Sequence, residues 1–396
     1  MSLPVSTAGL NIFMALAIVL ALVSRELWQA TSQLIRHPVA VIAVLMFILL
    51  AIGTLYSSAP AHENINYMWR YKKLLLVPLL IPFFQDSRFR YQALTCFCLA
   101  TFLTVLASWS EFFQFTHISD PAFGDVTGDS VFVMHITQGF LFAMLIALAI
   151  SLAIASKNIY LKVLWLIITV ITVGDICFVM WGRTGKATLA ILIVWACWEW
   201  LYAQKWQWMT KAIILVVCVC SVLTGVVVVA KNPALSFGMI RTDLERAQTT
   251  GEATSQGLRR QFAKTGIKIF LKSPWVGHGT GSIVTEQALF AKEAGTPVAQ
   301  VITVNLHNEY LMQAVQVGIL GIALFVSWLG VACFYSLNPI LGWQAIALRG
   351  AILVFAFGCL FNSYLWDHIE GYTYCLLLAA LMPISRGEKN ASNFIG

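Results

Sequence analysis

The chain has 396 residues, of which 59% are hydrophobic and 11% charged, with a formal net charge of +7. A soluble domain carries about a quarter charged residues, so the composition excludes an ordinary globular protein and points to a polytopic membrane protein. The lysines and arginines are scattered through short loops, which excludes a nucleic-acid-binding stripe and follows the positive-inside pattern. The nine cysteines all fall inside apolar runs and read as small hydrophobes; with no CxxC pair and no His/Cys cluster of metal-ligand spacing, no metal site is expected.

In chain order the apolar runs cover about residues 8–24, 39–57, 74–84, 91–113, 135–155, 159–180, 187–203, 212–230, 311–335, 345–365 and 372–384. The length rule makes these about eleven membrane spans, or twelve with a further helix at the start, so the predicted fold is an all-α, polytopic helical bundle. Three parts are expected within one integrated domain: N-terminal membrane helices over 1–230, a long polar loop over 231–305, and C-terminal membrane helices over 306–396. Arg25, Arg36, Arg88, Arg90, Lys157, Lys162, Lys205, Lys211, Arg349, Arg386 and Lys389 fall on one side, which is cytoplasmic by the positive-inside rule. Glu63, Asp120, Asp125, Asp129, the long loop, Asp367 and Glu370 then fall on the outer side. This arrangement leaves the amino terminus outside, and a first helix missing from the chain would account for it.

The third run begins near Arg70, Lys72 and Lys73, which either snorkel to the interface or pair with phosphate. The sixth run ends in MWGRTGKATLA, where Arg183 stands between Gly182 and Gly185. An arginine facing lipid costs several kcal/mol, so Arg183 is expected to face a water-filled cavity or an anion. Asp175, earlier in that run, is a costly buried carboxylate that either pairs with a basic group or holds a helix contact. Within the long loop, residues 256–272 predict a helix with Leu258, Phe262, Ile269 and Phe270 on an apolar face and Arg260, Lys264, Lys268 and Lys272 as a basic stripe. The stripe fits either an anionic ligand or a headgroup surface. Arg259 lies off it, beside Ala263 and Gly266, whose small side chains permit close approach. Gly277, Gly279 and Gly281 then alternate, as in a tight turn with exposed N–H groups.

The loop ends in VNLHNEYLMQAVQVGILG, residues 304–321. Helical spacing there places His307, Tyr310, Leu311 and Ala314 on one face, with the imidazole on the first turn of a membrane helix. Such a histidine is either a general base, held near its ordinary pKa outside the bilayer core, or an interfacial side chain at headgroup level.

Three motifs occur in order: GRTG at 182–185, LRRQF…IFLKSPWVGHGTG at 258–281, and HNEYLMQAVQVGILG at 307–321. Together they resemble the O-antigen ligase family, within its O-antigen ligase and polymerase superfamily, and the third is the most specific. Two positions depart from the family pattern: Ala263, where relatives often have an aromatic, and GHGTG, where GVGPG is commoner. The resemblance implies a bacterial inner-membrane glycosyltransferase of the lipid-linked-donor type, active on the periplasmic side without metal or cofactor. The donor would be O-antigen polysaccharide on undecaprenyl pyrophosphate, and the acceptor a sugar hydroxyl of lipid A-core, with inversion at the anomeric carbon. The matching positions make Arg183 and Arg259 the pyrophosphate ligands, with Arg260 able to share the latter's role, and His307 the general base or acceptor-orienting group. Asn308, Tyr310, Asp367 and Arg70 are further substrate-binding candidates, and Asp367 would either orient His307 or act as base itself. The competing readings are a polymerase or protein O-oligosaccharyltransferase of the same superfamily, and a lipid-linked sugar flippase. Protein-glycosylating relatives are expected to carry a sizeable soluble tail. A flippase is expected to place charges near the bilayer midplane and to show repeated halves.

Overall fold

The computed structural model of the chain describes residues 7–116, 131–231, 254–293, 302–338 and 341–383. Asp120, Asp125, Asp129, Arg386, Lys389 and residues 232–253 and 294–301 of the long loop lie outside the described residues. The described elements are helical throughout, with no strand among them. Hydrocarbon offers no partner to a backbone N–H or C=O, and helices satisfy both within one segment.

The helices are α1 (Thr7–Val23), α2 (Arg25–Leu34), α3 (Pro38–Gly53), α4 (Ala61–Arg70), α5 (Leu76–Leu80), α6 (Ser87–Phe112), α7 (His135–Ala155) and α8 (Ile159–Gly174). They continue with α9 (Arg183–Ala203), α10 (Trp208–Lys231), α11 (Ser255–Lys272), α12 (Ile283–Glu293), α13 (Glu309–Ser336), α14 (Trp343–Gly358) and α15 (His368–Leu381). Among the described residues six helices are long and apolar enough to cross a membrane, or seven if α1 and α2, bent by 81° at Ser24, form one broken span. The chain is a multi-pass membrane protein. The apolar run at 74–84 does not form the continuous span its hydropathy suggests. It divides into a 3-10 turn at Lys72–Leu75, α5, and a second 3-10 turn at Phe83–Gln85. Pro78 and Pro82 explain the break, because each removes a backbone donor and crowds the preceding turn.

Helix α7 is the centre of the bundle. Buried residues make up 83% of its most apolar window, against 0% for α10, whose Val, Ile and Leu side chains face outward. Gly139 of α7 and Gly185 of α9 let these helices approach until a Cβ on Gly185 would stand 3.4 Å from the Gly139 Cα. One end of the bundle is tied by Arg349 of α14, whose Nε lies 2.5 Å from the Glu199 carboxylate on α9. At the same end His37 caps α3, accepts from Ala40 N–H, and bonds the Pro383 carbonyl at 3.0 Å through Nε2. The starts of α7, α9, α13 and α15 meet at the opposite end, where the candidate site lies.

Helix α13 is broken at Val317 and Gly318, and Gly318 takes a φ of +67°. The turn that follows α11 fills this break. His278 N–H donates to Val315 O at 2.9 Å, Gly279 N–H to Gln316 O at 2.9 Å, and Ile319 N–H to Pro274 O at 2.8 Å. Gly281 N–H reaches the Gln316 side chain and Thr280 N–H reaches Gly53 O, both at 3.0 Å. The alternating glycines therefore do not present free N–H groups to a ligand, as their spacing suggests; their donors complete a helix that lacks its own partners. Gly277 must stay a glycine: its φ is +68°, and a Cβ would stand 2.5 Å from the Gln316 carbonyl. Gly277→Ala is expected to destabilise the purified protein by about 2 kcal/mol or more, because positive φ and a backbone clash add. Gly330 sits inside α13 with nothing near its Cβ position. Gly330→Ala is therefore expected to be neutral or to stabilise by up to about 1 kcal/mol. Thermal unfolding of the two variants in detergent checks the contrast.

Candidate active site

Three segments meet at the open end of the bundle. Gly182 caps α9 and places Arg183 at its first position, where N–H groups without helical partners and the positive helix end favour an anion. Helix α11 supplies Arg259 and Arg260. Thr254 caps α11, accepting from Gly257 N–H, and Gly266 presses on α13 so closely that a Cβ there would stand 2.6 Å from Leu311. The small-residue face predicted beside Arg259 is thus the face that packs. The third segment, residues 304–308, carries His307.

His307 is not on the first turn of a helix. Asn308 is the N-cap of α13, accepting from Leu311 N–H, and His307 precedes it with a left-handed φ of +53°. A non-glycine residue in that region costs about 1 kcal/mol, so its surroundings must hold it. Asn305 does so: its side-chain oxygen accepts from His307 N–H at 2.8 Å, and its amide nitrogen donates to Asp367 at 3.2 Å. Asp367 thus acts on the His307 backbone through Asn305. The imidazole stacks near Phe262, one turn beyond Arg259 on α11, with ring centroids 6.2 Å apart. Its nitrogens make no hydrogen bond with any described residue.

Arg183, Arg259, Arg260, His307 and Asn308 together line a cavity of about 400 Å³. Arg183 and Arg259, with Gln256 and Thr184, continue into a smaller cavity of about 160 Å³. Arg259 is half-buried without a carboxylate partner among the described residues. Burial lowers its pKa, and the like charge of Arg183 adds to the effect. His307 is lowered to about 4, first by burial and then by Arg259. The expectation of an ordinary pKa outside the bilayer core is therefore corrected, since packing under α11 removes the water that would solvate an imidazolium. On its other side His307 borders a third cavity of about 600 Å³, with Asn305, Asp367 and Glu370 in the wall. Burial, and next the Glu370 carboxylate, raise Asp367 well above the usual range.

Two expected substrate contacts are not brought into these cavities. The Tyr310 hydroxyl donates to Ala356 O at 3.0 Å and its ring packs edge-on against Phe325. The Arg70 guanidinium lies 4.0 Å over the Trp366 ring. Asn308 lines the arginine cavity while its side chain caps α13 and bonds Leu360 O. Sequence reasoning missed Asn305, Gln256, Asn362 and Glu370. Among the described residues no group of three or more His, Cys, Asp or Glu side chains could hold a metal ion.

Two arginines and an imidazole thus meet around one cavity, a setting that suits an anionic ligand. Residues 172–326, under half of the chain, match the family described as O-antigen ligase. The chain thus carries that family's domain, and the matched segment contains Arg183, Arg259 and His307. The match supports a glycosyltransferase-like membrane enzyme related to the O-antigen ligase and polymerase superfamily. No curated protein matches the chain.

The depressed pKa has a measurable consequence. With a folded pKa of about 4, the imidazole stays neutral as pH falls through 6.5 and takes its proton only near 4. The acid limb of kcat/KM, which reports the free enzyme, should therefore fall near pH 4 to 5. Arg259→Gln removes one of two causes, so NMR titration of the His307 ring should show a rise that stops short of 6.5. A wild-type limb at 6.5 would contradict the burial seen here.

Proposed function

We propose that the protein is an O-antigen ligase, transferring polysaccharide from undecaprenyl pyrophosphate to a sugar hydroxyl of lipid A-core at the periplasmic face of the inner membrane. The observation that carries this reading is the single cavity shared by Arg183, Arg259 and His307. A lipid diphosphate leaves with two to three negative charges, and a guanidinium fork matches phosphate oxygens in geometry and charge. The helix end beneath Arg183 adds to that stabilisation where the charge develops. His307 faces the same space with an unbonded ring nitrogen, so it accepts the acceptor's proton. The acceptor oxygen then forms a bond to the anomeric carbon as the bond from that carbon to the diphosphate oxygen breaks. The electron pair departs with the lipid diphosphate, the proton passes from His307 to solvent, and the anomeric configuration inverts. Arg260, exposed at the rim, supports the polyanion's approach.

The test is reconstitution of the full chain with a lipid-diphosphate-linked polysaccharide and a core glycolipid. His307→Ala should lose transfer while the protein stays folded and retains donor; full ligation by that variant would remove the imidazole from the chemistry. Arg183→Lys keeps the charge but loses the fork, and should lower kcat/KM for donor by about ten-fold. Unchanged donor use would show that only a point charge is needed there. In cells, deletion should leave rough-form lipopolysaccharide and accumulated lipid-linked polymer; absence of that polymer would favour an earlier step.

A further inference from the structure

The charges around His307 are segregated. On the α9 and α11 side the cavity walls carry Arg183, Arg259 and Arg260, and no carboxylate is among their described lining residues. On the far side, the cavity of about 600 Å³ carries Asp367 and Glu370, and neither lysine nor arginine is among its described lining residues. Lys73 stands behind this wall. It is 1% exposed, with its ammonium on the Trp366 and Asp367 carbonyl oxygens, and so is closed off from the cavity. Thr137 donates to Glu370 from the start of α7.

A second observation shows that this wall is built for a polar ligand. Asn362 lines the cavity and is 1% exposed, yet beyond a contact with the Tyr364 side chain its amide has no hydrogen-bond partner of good geometry among the described residues. A buried amide with unsatisfied hydrogen-bonding capacity is costly, and a ligand carrying both donors and acceptors would satisfy it. Vicinal sugar hydroxyls are such a ligand: each donates to a carboxylate and accepts from an amide. The origin of the residues points the same way. Apart from Asn305 and His307, the lining of this cavity comes from outside residues 172–326, the segment matched to the family.

Resting on the ligation reading above, we infer that this cavity receives the acceptor sugar, and that Asp367, Glu370 and Asn362 select a neutral hexose over one bearing a phosphate or carboxylate beside the attacking hydroxyl. In-line displacement places the incoming oxygen opposite the leaving diphosphate. With the diphosphate among the arginines and His307 between the two spaces, the acceptor enters from the carboxylate side. Among the described lining residues, no lysine or arginine would receive a second anion. A phosphate or carboxylate there would meet carboxyl oxygens and no cationic partner, so the wall discriminates by charge as well as by fit.

The experiment uses the reconstituted full chain, one lipid-linked donor, and two core glycolipids that differ only in a phosphate monoester on the terminal hexose. The neutral acceptor should be preferred in kcat/KM by about ten-fold or more. Asp367→Asn and Glu370→Gln, measured separately so that either can fail to fold, should raise acceptor KM by about five-fold and leave donor KM within two-fold. Both should also narrow the preference for the neutral acceptor, a change that simple loss of structure would not produce. Equal use of both acceptors by the wild type, or variants that shift donor KM instead, would overturn the inference while leaving ligation standing. Failure to transfer to either acceptor would overturn both.

Discussion

The carboxylate of Glu309 is fully buried, and the site is assembled around it. A buried carboxylate is tolerable only when its lone pairs are engaged. One oxygen accepts from Leu365 N–H at 3.1 Å and Trp366 N–H at 3.0 Å; the other accepts from Gln313 at 2.8 Å and more weakly from Tyr71. These bonds fix the turn before α15 against the start of α13, and that turn ends in Asp367. From Asp367 the contacts pass through Asn305 to the backbone of His307. In the other direction Tyr71 accepts from Gln316, whose side-chain oxygen takes the N–H of Gly281. One continuous polar network therefore runs from the glycine turn that fills the break in α13 to the left-handed residue carrying the imidazole.

This explains why a membrane helix is interrupted at Gly318 and why the interruption is paid for. A regular α13 would satisfy its own backbone and offer nothing to the segment after α11. The break frees carbonyls at Val315 and Gln316, and the glycine turn binds them. The end of α11 is thereby anchored on α13, while Gly266 closes the gap nearer its start. Arg259 and Phe262 then sit on rigid backbone facing His307, with the cations on one side and the carboxylates on the other.

Much of this was legible in the sequence, for specific reasons. Helix α11 begins one residue before its expected start because its cap, apolar face and terminal Ser273-Pro274 are all local signals. Arg183 stood out because an arginine facing lipid is costly, and Arg259 because its small neighbours permit close approach; their shared role came from the motif resemblance. The third apolar run was misread because hydropathy averages over Pro78 and Pro82, which decide its shape. The left-handed backbone of His307 was hidden, since helical spacing was extended one residue past the true cap, Asn308. Glu370, Asn362 and Asn305 gave no sequence signal; they meet His307 only because Glu309 folds a distant turn onto α13.

The position of Arg259 sets a conflict that bears on the order of events. A guanidinium near enough to serve a departing diphosphate is also near enough to depress the pKa of His307, and a base near 4 is weak. In the proposed reaction the donor resolves this. Its diphosphate brings two to three negative charges against Arg183 and Arg259, opposes the field that lowers the imidazole, and favours the imidazolium formed when the acceptor loses its proton. The burial contribution remains, because Phe262 and α11 still exclude water. The base therefore gains strength when a leaving group is present to exploit it. With an empty arginine cavity, burial and Arg259 both hold it low. In the proposed reaction, charge segregation across one imidazole would tie acceptor activation to donor occupancy without a moving part.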